Sequence, residues 1–235
     1  MQYQKIFQRN EIKYLLTTDQ AQQIKAAMAP FLEPDRFPVA TIRNLYFDTQ
    51  NYRMIRRSLE KPVYKEKLRI RCYQPVSCQD TVFVELKKKY NSIVYKRRLA
   101  LPYGKAMAWL AGREPAPEGQ IAREIDYVRQ FYGDLSPRVF LSYDREAYAC
   151  RSGSDLRITF DDHILCRQAD LDLSLPLSGT ALLPPDQVLM EIKTGGGIPL
   201  WLTELLTREQ LFKGSFSKYG TAYETMLYQG GIIHA

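Results

Sequence analysis

Residues 67–72 read Lys-Leu-Arg-Ile-Arg-Cys, a run in which each basic residue is followed by an apolar one. Side chains along a β-strand point alternately to its two faces, so this run predicts a strand with one ionic and one apolar face. Residues 82–87, Val-Phe-Val-Glu-Leu-Lys, and 189–193, Leu-Met-Glu-Ile-Lys, show a similar alternation. One such strand is ordinary at a protein surface. Several in succession indicate a closed sheet whose ionic faces converge on a shared lumen.

The composition is that of a globular protein with an anionic partner. The chain has 235 residues, of which 45% are hydrophobic and 25% charged, and it carries a net charge of +7. This balance fits a nucleic acid, a phosphorylated metabolite or a membrane surface. No run approaches the ~20 apolar residues of a membrane span, and residues 1–5 do not resemble a secretory signal. The four cysteines are scattered without a Cys-x-x-Cys pair, which predicts reduced thiols, no zinc site and a cytoplasmic location.

Periodicity and turn residues predict a single α+β domain over residues 1–235, with an antiparallel sheet and helices packed on the outside. Strands are expected at 9–16, 42–47, 64–73, 81–89, 92–101, 137–149, 155–163 and 187–194. Helices are expected at 17–30, 103–111, 120–132, 199–211 and 218–228. Residues 51–58 fit one helical turn, and 170–186 a long connection. Gly195–Gly197 fits a strand-to-helix turn better than a phosphate-binding loop, because no P-loop or dinucleotide-binding pattern surrounds it.

The charged positions of the predicted strands form one set of ionic side chains. A dry interior could not hold so many cations, because each unpaired buried charge costs several kcal/mol. A wet lumen filled by phosphate could hold them, since arginine and lysine both bind phosphoryl oxygens well. The set comprises Glu11, Lys13, Lys67, Arg69, Arg71, Glu85, Lys87, Lys96, Arg98, Tyr143, Arg145, Arg157, Asp161, Glu191 and Lys193.

The few carboxylates in this set suggest a metal site. Glu11, Glu85, Asp161 and Glu191 offer the hard oxygen ligands that Mg²⁺ and Mn²⁺ prefer. Such a site favours phosphoryl transfer by positioning and charge neutralisation, without a covalent nucleophile. The chain has only two histidines and neither a Gly-x-Ser-x-Gly nor a His-Glu-x-x-His motif, in agreement with that chemistry.

Short motifs along the chain resemble the VTC (vacuolar transporter chaperone) domain of the triphosphate tunnel metalloenzyme superfamily. The resemblance runs from about residue 9 to residue 228. The motifs are Glu11-Ile-Lys13, Arg43-Asn-Leu-Tyr-Phe-Asp-Thr49, Leu68-Arg-Ile-Arg71, Glu85-Leu-Lys87, Tyr143-Asp-Arg145, Glu191-Ile-Lys193 and Phe216-Ser-Lys-Tyr219.

The resemblance implies a closed antiparallel tunnel of about eight strands that makes polyphosphate from the γ-phosphate of ATP. ATP or another triphosphate and inorganic polyphosphate would be the partners, with Mn²⁺ or Mg²⁺ as cofactor and no nucleic acid. Glu191 would be the main metal ligand, beside Glu11, Glu85 and Asp161. The catalytic residues would be Lys13, Arg69, Arg71 and Lys218. The phosphate-binding residues would be Lys87, Lys96, Arg98, Tyr143, Arg145 and Lys193, with Arg98 and Asp161 added from strand alternation.

One departure from the superfamily bears on the reaction. Hydrolytic members usually begin with Glu-x-Glu-x-Lys, whereas Arg9 stands at the position of the first glutamate. Fewer carboxylates suggest one metal ion, which favours transfer to polyphosphate over hydrolysis. We expect passage of the product across a membrane to require a membrane-protein partner.

Three alternatives stay open at this point. A tripolyphosphate or nucleoside-triphosphate hydrolase would use the same tunnel and release orthophosphate. A non-catalytic module would bind polyphosphate or nucleotide without turnover. A basic RNA-binding module would use its tyrosines for base stacking, but the interior placement of the charged faces argues against it.

Overall fold

Antiparallel pairing organises the chain. The computed structural model describes residues 10–91 and 93–229, and within them one nine-stranded sheet and six helices form an α+β fold, as predicted. The strands are β1 (Asn10–Thr17), β2 (Leu32–Asp48), β3 (Tyr64–Cys72), β4 (Thr81–Tyr90), β5 (Ile93–Pro102), β6 (Ser136–Cys150), β7 (Arg157–Arg167), β8 (Thr180–Ala181) and β9 (Gln187–Thr194). The helices are α1 (Thr18–Met28), α2 (Arg53–Leu59), α3 (Tyr103–Leu110), α4 (Gln120–Tyr132), α5 (Leu200–Arg208) and α6 (Lys218–Gln229).

The sheet is curled but not closed. Its order is β1-β9-β7-β6-β2-β3-β4-β5, with β8 paired to β7, and every described pair is antiparallel. Among the described residues β1 and β5 form no ladder, so the closed eight-stranded tunnel is not confirmed. The curl nevertheless brings the two ends together, because Lys87 on β4 lies 2.8 Å from a carboxylate oxygen of Glu11 on β1.

The start of α1 follows from its sequence. The Thr17 hydroxyl accepts from the Gln20 backbone N–H, and the Gln20 side chain accepts from the Thr17 N–H. This reciprocal pair is a capping box, which satisfies two backbone donors that a helix start leaves free. The helix ends at Met28 and does not reach the predicted Pro30, because proline has no N–H to continue the hydrogen-bond pattern.

Strand β2 is much longer than predicted. Only residues 42–47 were expected, and Pro34 and Pro38 are unusual within a continuous strand. The structure accommodates these prolines with a register shift against β6 between Pro34 and Val39. Strand β7 likewise continues past the predicted end at residue 163, through a register shift opposite Ser142 and Asp144 of β6.

The convex face of the sheet carries two apolar clusters. One packs β2–β5 against α3 and α4, and Trp109 lies fully buried in it. The other packs β1, β7 and β9 against α1 and α5, around Ile24 and Leu202. These contacts use the apolar side of the alternating strands, so the ionic side faces the concavity. None of the described helices is long and apolar enough to cross a membrane.

Helix α6 corrects the prediction that all helices pack on the outside. Its buried residues Tyr219 and Ala222 join a cluster with Tyr46, Tyr143 and Leu189. On their strands these three residues alternate in phase with the ionic side chains, so α6 covers part of the concave face. The Tyr219 ring stacks on Tyr46 with ring centroids 4.5 Å apart. The first residue of α6, Lys218, is thereby brought to the ionic side chains.

Candidate functional site

The concave face gathers the predicted site residues into two ion-pair clusters and one lysine-rich row. All fourteen of these residues lie in the described part of the chain. The first cluster surrounds Glu191 and Asp161, and the second surrounds Glu85. The lysine-rich row consists of Lys67 and Lys87, which lie opposite each other on β3 and β4, and Lys87 pairs with Glu11. Cations outnumber carboxylates on this face, so the ion pairs leave a net positive charge.

The first cluster joins strands β1, β6, β7 and β9 to α6. Asp161 is fully buried and accepts two hydrogen bonds of 2.6 Å from Arg145. The ammonium of Lys218 also contacts this carboxylate, 2.5 Å from Asp161 Oδ2. Glu191, which is also buried, has four cations around it. Their distances to its carboxylate oxygens are 2.8 Å for Lys193, 3.2 Å for Arg145, and 3.4 Å for Lys13 and Lys218.

These contacts keep both carboxylates charged. Burial alone raises the pKa of Glu191, but Lys193, Lys218 and the other cations outweigh it and hold that pKa well below its ordinary value. Asp161 behaves in the same way, since Lys218 and Arg145 lower its pKa against the effect of burial. For Lys193, burial dominates over Glu191 and lowers the ammonium pKa to about 8.

The second cluster places one carboxylate of β4 among cations from β3 and β5. Glu85 is 0% exposed, and burial is again outweighed, so its pKa lies well below the ordinary value. Lys96 has its pKa lowered to about 7, because burial and neighbouring arginines outweigh the attraction of Glu85. The cations lie at 2.5 Å (Arg98), 2.7 Å (Arg69 and Lys96) and 3.8 Å (Arg71) from the Glu85 oxygens.

Tyr143 connects the two clusters. Its hydroxyl accepts a 3.1 Å hydrogen bond from Arg71, and its ring lies under Arg145 at 5.2 Å and Lys218 at 4.5 Å. Arg71 also donates through Nε to Asn44 Oδ1 at 3.0 Å, which fixes the plane of the guanidinium. Sequence reasoning gave Asn44 no role. The only sequence feature that could have indicated a role for Asn44 is its position in the Arg43–Thr49 motif. In the structure this motif lies on β2, which pairs with the strand of Arg71.

Lys67 is a cation of the concave face to which the sequence assigned no individual role. It lies opposite Lys87 in the β3–β4 ladder and donates a 2.9 Å hydrogen bond to Ser217 Oγ. It forms no ion pair with any carboxylate of the described residues. Burial, together with the charges of Lys13 and Lys87, lowers the pKa of Lys67 to about 7.

Asp48 of the Arg43–Thr49 motif is structural. Its carboxylate accepts from the backbone N–H groups of Thr49, Met54 and Ile55 and from the Tyr219 hydroxyl at 2.9 Å. It therefore holds the start of α2 and joins it to α6. Arg157, at the edge of the predicted ionic set, pairs with Asp35.

The carboxylates of the first cluster fit a divalent cation in their chemistry. Asp161 and Glu191 are hard oxygen donors that share Lys218 and Arg145, so they lie close together. Glu85 is enclosed by cations, and Glu11 is paired with Lys87. A separate group on the described surface, formed by Asp144, Asp162 and His163, has three donor atoms within 4.8 Å of one another. None of its members was predicted as a ligand.

Comparisons with known proteins agree with this fold. The family model of the VTC domain matches residues 8–227. A candidate adenylate cyclase from Bacillus halodurans, 15% identical, has a TM-score of 0.58, with 91% of this chain and 96% of that chain covered. A candidate adenylyl cyclase from Hippeastrum, described as having a dominant triphosphatase activity, is 14% identical with a TM-score of 0.53, and 94% and 96% are covered. A search of curated protein sequences gives no match. Because the family model spans nearly the whole sequence, this chain belongs to the VTC domain family.

Proposed function

We propose that the concave face binds the triphosphate of ATP and transfers its terminal phosphoryl group to inorganic polyphosphate. The excess of cations over carboxylates on this face carries the proposal. Such a surface is stable when a polyanion balances it, and membership of the VTC domain family supports a triphosphate as that polyanion. Contact between Lys87 and Glu11 across the open edge supports a tunnel that a bound phosphate chain would close further.

The arginines provide the most specific phosphate contacts. Arg69 and Arg71 project from one strand toward Glu85, and Tyr46, Asn44 and Tyr143 fix their orientation. An arginine held in this way can present its planar fork to phosphoryl oxygens without a further loss of side-chain freedom. The remaining proposed phosphate contacts are Lys13, Lys87, Lys96, Arg98, Arg145, Lys193 and Lys218.

We place the divalent ion, Mn²⁺ or Mg²⁺, at Glu191 and Asp161. When bound, it would neutralise charge on the oxygens of the transferring phosphoryl group. The surrounding lysines and arginines oppose a bare dication, so Glu191 and Asp161 would hold the ion only in the presence of the negative charge of a triphosphate. Lys218, which pairs with both carboxylates, would also contact a phosphoryl oxygen of the bound triphosphate.

The reaction needs no covalent intermediate on the protein. The bond between the terminal phosphorus and the oxygen that links it to ADP breaks, and an end oxygen of the polymer forms the new bond. The negative charge on the leaving oxygen falls among cations of the concave face, which were ordered before the reaction and need no reorganisation. Proton transfer is not required, because the end of the polymer is already anionic.

Hydrolysis of tripolyphosphate or a nucleoside triphosphate is the second candidate. The structural likeness to the Hippeastrum protein, with its described triphosphatase activity, favours it. A water molecule in place of the polymer end would give orthophosphate.

Product analysis separates the candidates. Purified protein is incubated with ATP and Mn²⁺, with and without a short polyphosphate primer, and the products are resolved on a gel. Long polymer with an equal amount of ADP supports the polymerase, and orthophosphate alone supports the hydrolase. Binding of tripolyphosphate without turnover would contradict both reactions and leave a binding module. The matched control is Glu146→Gln, which changes an ion pair with Lys25 on the convex face.

A further inference from the structure

The ionic face of β3 and β4 extends beyond the two clusters. In the β3–β4 ladder Lys67 lies opposite Lys87, and the next residues in phase, Lys65 and Lys89, also lie opposite each other. Alternate residues on a strand share a face, so all four project to the side of Arg69. Like charges directly opposite on a sheet destabilise it. Two such rows in succession therefore indicate that an anion balances them.

The protein itself supplies little of that balance. Lys87 pairs with Glu11, but Lys67 and Lys65 donate to neutral oxygens, Ser217 Oγ at 2.9 Å and the Ser58 carbonyl at 3.1 Å. Within the described chain, neither of these two lysines nor Lys89 has a carboxylate at ion-pair distance. Burial and the charges of Lys89 and Lys61 lower the pKa of Lys65.

These lysines are continuous with the central site. The charge of Lys65 acts on Lys67, and so do the charges of Lys13 and Arg69, which belong to the two clusters. Lys61, exposed just after α2, extends the same positive surface outward. We call Lys67, Lys65, Lys89 and Lys61 the lysine track.

The length of the track decides which anion it suits. Arg71 and Lys65 are six residues apart on β3, which corresponds to about 20 Å at about 3.3 Å per residue. A triphosphate bound at Arg69 and Arg71 is too short to reach Lys65 as well. A longer chain of phosphates, with one end in the central site, would cover both.

We propose that the lysine track binds the distal part of an inorganic polyphosphate chain whose end lies at Arg69 and Arg71. This inference rests on the proposed function and adds to it the direction in which the polymer leaves the site. The chain leaves the concave face where β3 begins and β4 ends, beside the last turn of α2. Lys65, Lys89 and Lys61 lie beyond the reach of a triphosphate bound at Arg69 and Arg71, so the outer part of the track selects for chain length without taking part in the transfer.

The test compares binding of two phosphate chains in the absence of metal. Affinities for tripolyphosphate and for a polyphosphate of a few tens of units are measured by calorimetry for the full chain. In Lys65→Gln/Lys89→Gln we expect the affinity for the long chain to fall about tenfold, with a weaker salt dependence, because fewer counterions are released. The affinity for tripolyphosphate should stay within about twofold, because its contacts are unchanged.

Two further variants make the comparison specific. Lys105→Gln/Arg123→Gln removes the same charge from exposed positions on α3 and α4 and should leave both affinities nearly unchanged. Lys61→Gln/Lys89→Gln leaves the hydrogen bond from Lys65 to Ser58 in place, so it tests the track if loss of Lys65 impairs folding. Thermal melting of each variant identifies such a loss.

Several results would overturn the inference. Equal loss in the control pair would show that only net charge matters, and parallel loss of tripolyphosphate affinity would place Lys65 and Lys89 in the central site. A single-stranded RNA of matched charge that competes as well as polyphosphate would identify a general polyanion surface. If the unmodified protein binds both phosphate chains and the track variants bind the long chain with unchanged affinity, only the track is wrong. If it binds neither, the proposed function is wrong as well.

Discussion

The ammonium of Lys218 lies between Asp161 and Glu191, 2.5 Å from Asp161 Oδ2 and 3.4 Å from Glu191 Oε1. Burial lowers its pKa, but the two carboxylates outweigh that effect and raise it above the ordinary value, so the ammonium stays charged. Arg145 also bridges these two buried carboxylates, and the Lys218 ammonium lies where we propose the divalent ion.

Replacing that ammonium should create metal affinity. We expect Lys218→Met to bind Mn²⁺ without triphosphate at least about tenfold more tightly than the unmodified protein, because a nearby positive charge is removed. Titration of free Mn²⁺ by electron paramagnetic resonance measures this directly. Lys25→Met, which breaks the convex pair with Glu146, is the control. Equal Mn²⁺ affinity in all three proteins would exclude Asp161 and Glu191 as the metal site and direct attention to Asp144, Asp162 and His163.

Glu191→Gln should separate metal-dependent turnover from phosphate binding. The substitution keeps the shape of the side chain but removes the charge that partly balances Lys13, Lys193 and Lys218. We expect turnover to disappear and metal-free affinity for tripolyphosphate to rise several-fold. Stability should fall by about 3 kcal/mol, because breaking a buried ion pair leaves uncompensated charge.

Kinetics, calorimetry and urea unfolding measure the three effects of Glu191→Gln. The control Glu146→Gln should change none of them strongly, since its ion pair with Lys25 is partly exposed. Retained metal-dependent turnover in Glu191→Gln would contradict the assigned site.

The sequence predicted the faces of the strands better than their assembly. Alternation around Arg69 and Glu85 is a local property with a period of two, so it identifies which side chains share a face. The curl that brings Glu11 to Lys87 depends on the twist of every strand between them, which no single segment encodes. Neither the open edge between β1 and β5 nor the position of α6 inside the concavity could therefore be predicted from periodicity.

Some site contacts depend on register between distant segments. Asn44 can orient Arg71 only because β2 and β3 pair with these two residues opposite each other. The first half of β2 contains Pro34 and Pro38, which are atypical of a strand, so its pairing with β6 could not be predicted from the local sequence. The importance of Lys218 came from the family resemblance, since no strand pattern covers the start of α6. The individual roles of the site residues remain predictions.

Replacement of Arg71 by lysine should weaken phosphate binding, although the positive charge is kept. Its guanidinium donates to Asn44 through Nε and to Tyr143 through Nη2, and a lysine ammonium cannot make both bonds in one plane. We expect Arg71→Lys to weaken tripolyphosphate binding by about tenfold, the loss of one oriented charge-assisted contact. Arg97→Lys is the matched control, because Arg97 lies on β5 but pairs with Glu124 on the convex side.

Tyr143→Phe tests whether the hydroxyl matters only for positioning Arg71. We expect a stability loss of about 1 kcal/mol, the usual net value of a hydrogen bond, and a smaller binding effect than Arg71→Lys. Calorimetry with tripolyphosphate and urea unfolding measure the two quantities. A binding loss larger than that of Arg71→Lys would show instead that the Tyr143 hydroxyl contacts the phosphate chain itself.

The low pKa of Lys67 predicts that binding takes up protons. Folding lowers this pKa from 10.5 to about 7, so between these values the unfolded chain binds more protons and stability rises with pH. A bound phosphate chain reverses the effect, because it favours the charged ammonium and raises the pKa again. At pH 8 tripolyphosphate binding should therefore transfer up to about one proton to Lys67, and the affinity should fall as pH rises above 7.

Calorimetry at pH 8 in two buffers of different ionisation enthalpy gives the number of protons taken up. Lys67→Gln should take up about one proton fewer than the unmodified protein, and its affinity should depend less on pH. The ligand's own titration is common to both proteins, so it cancels in the difference. The charges that act on Lys67 come from Lys13, Lys87, Lys65 and Arg69, and all of them are cationic. Because no described carboxylate pairs with Lys67, equal proton uptake by the two proteins would mean that the phosphate chain does not reach this end of the concave face.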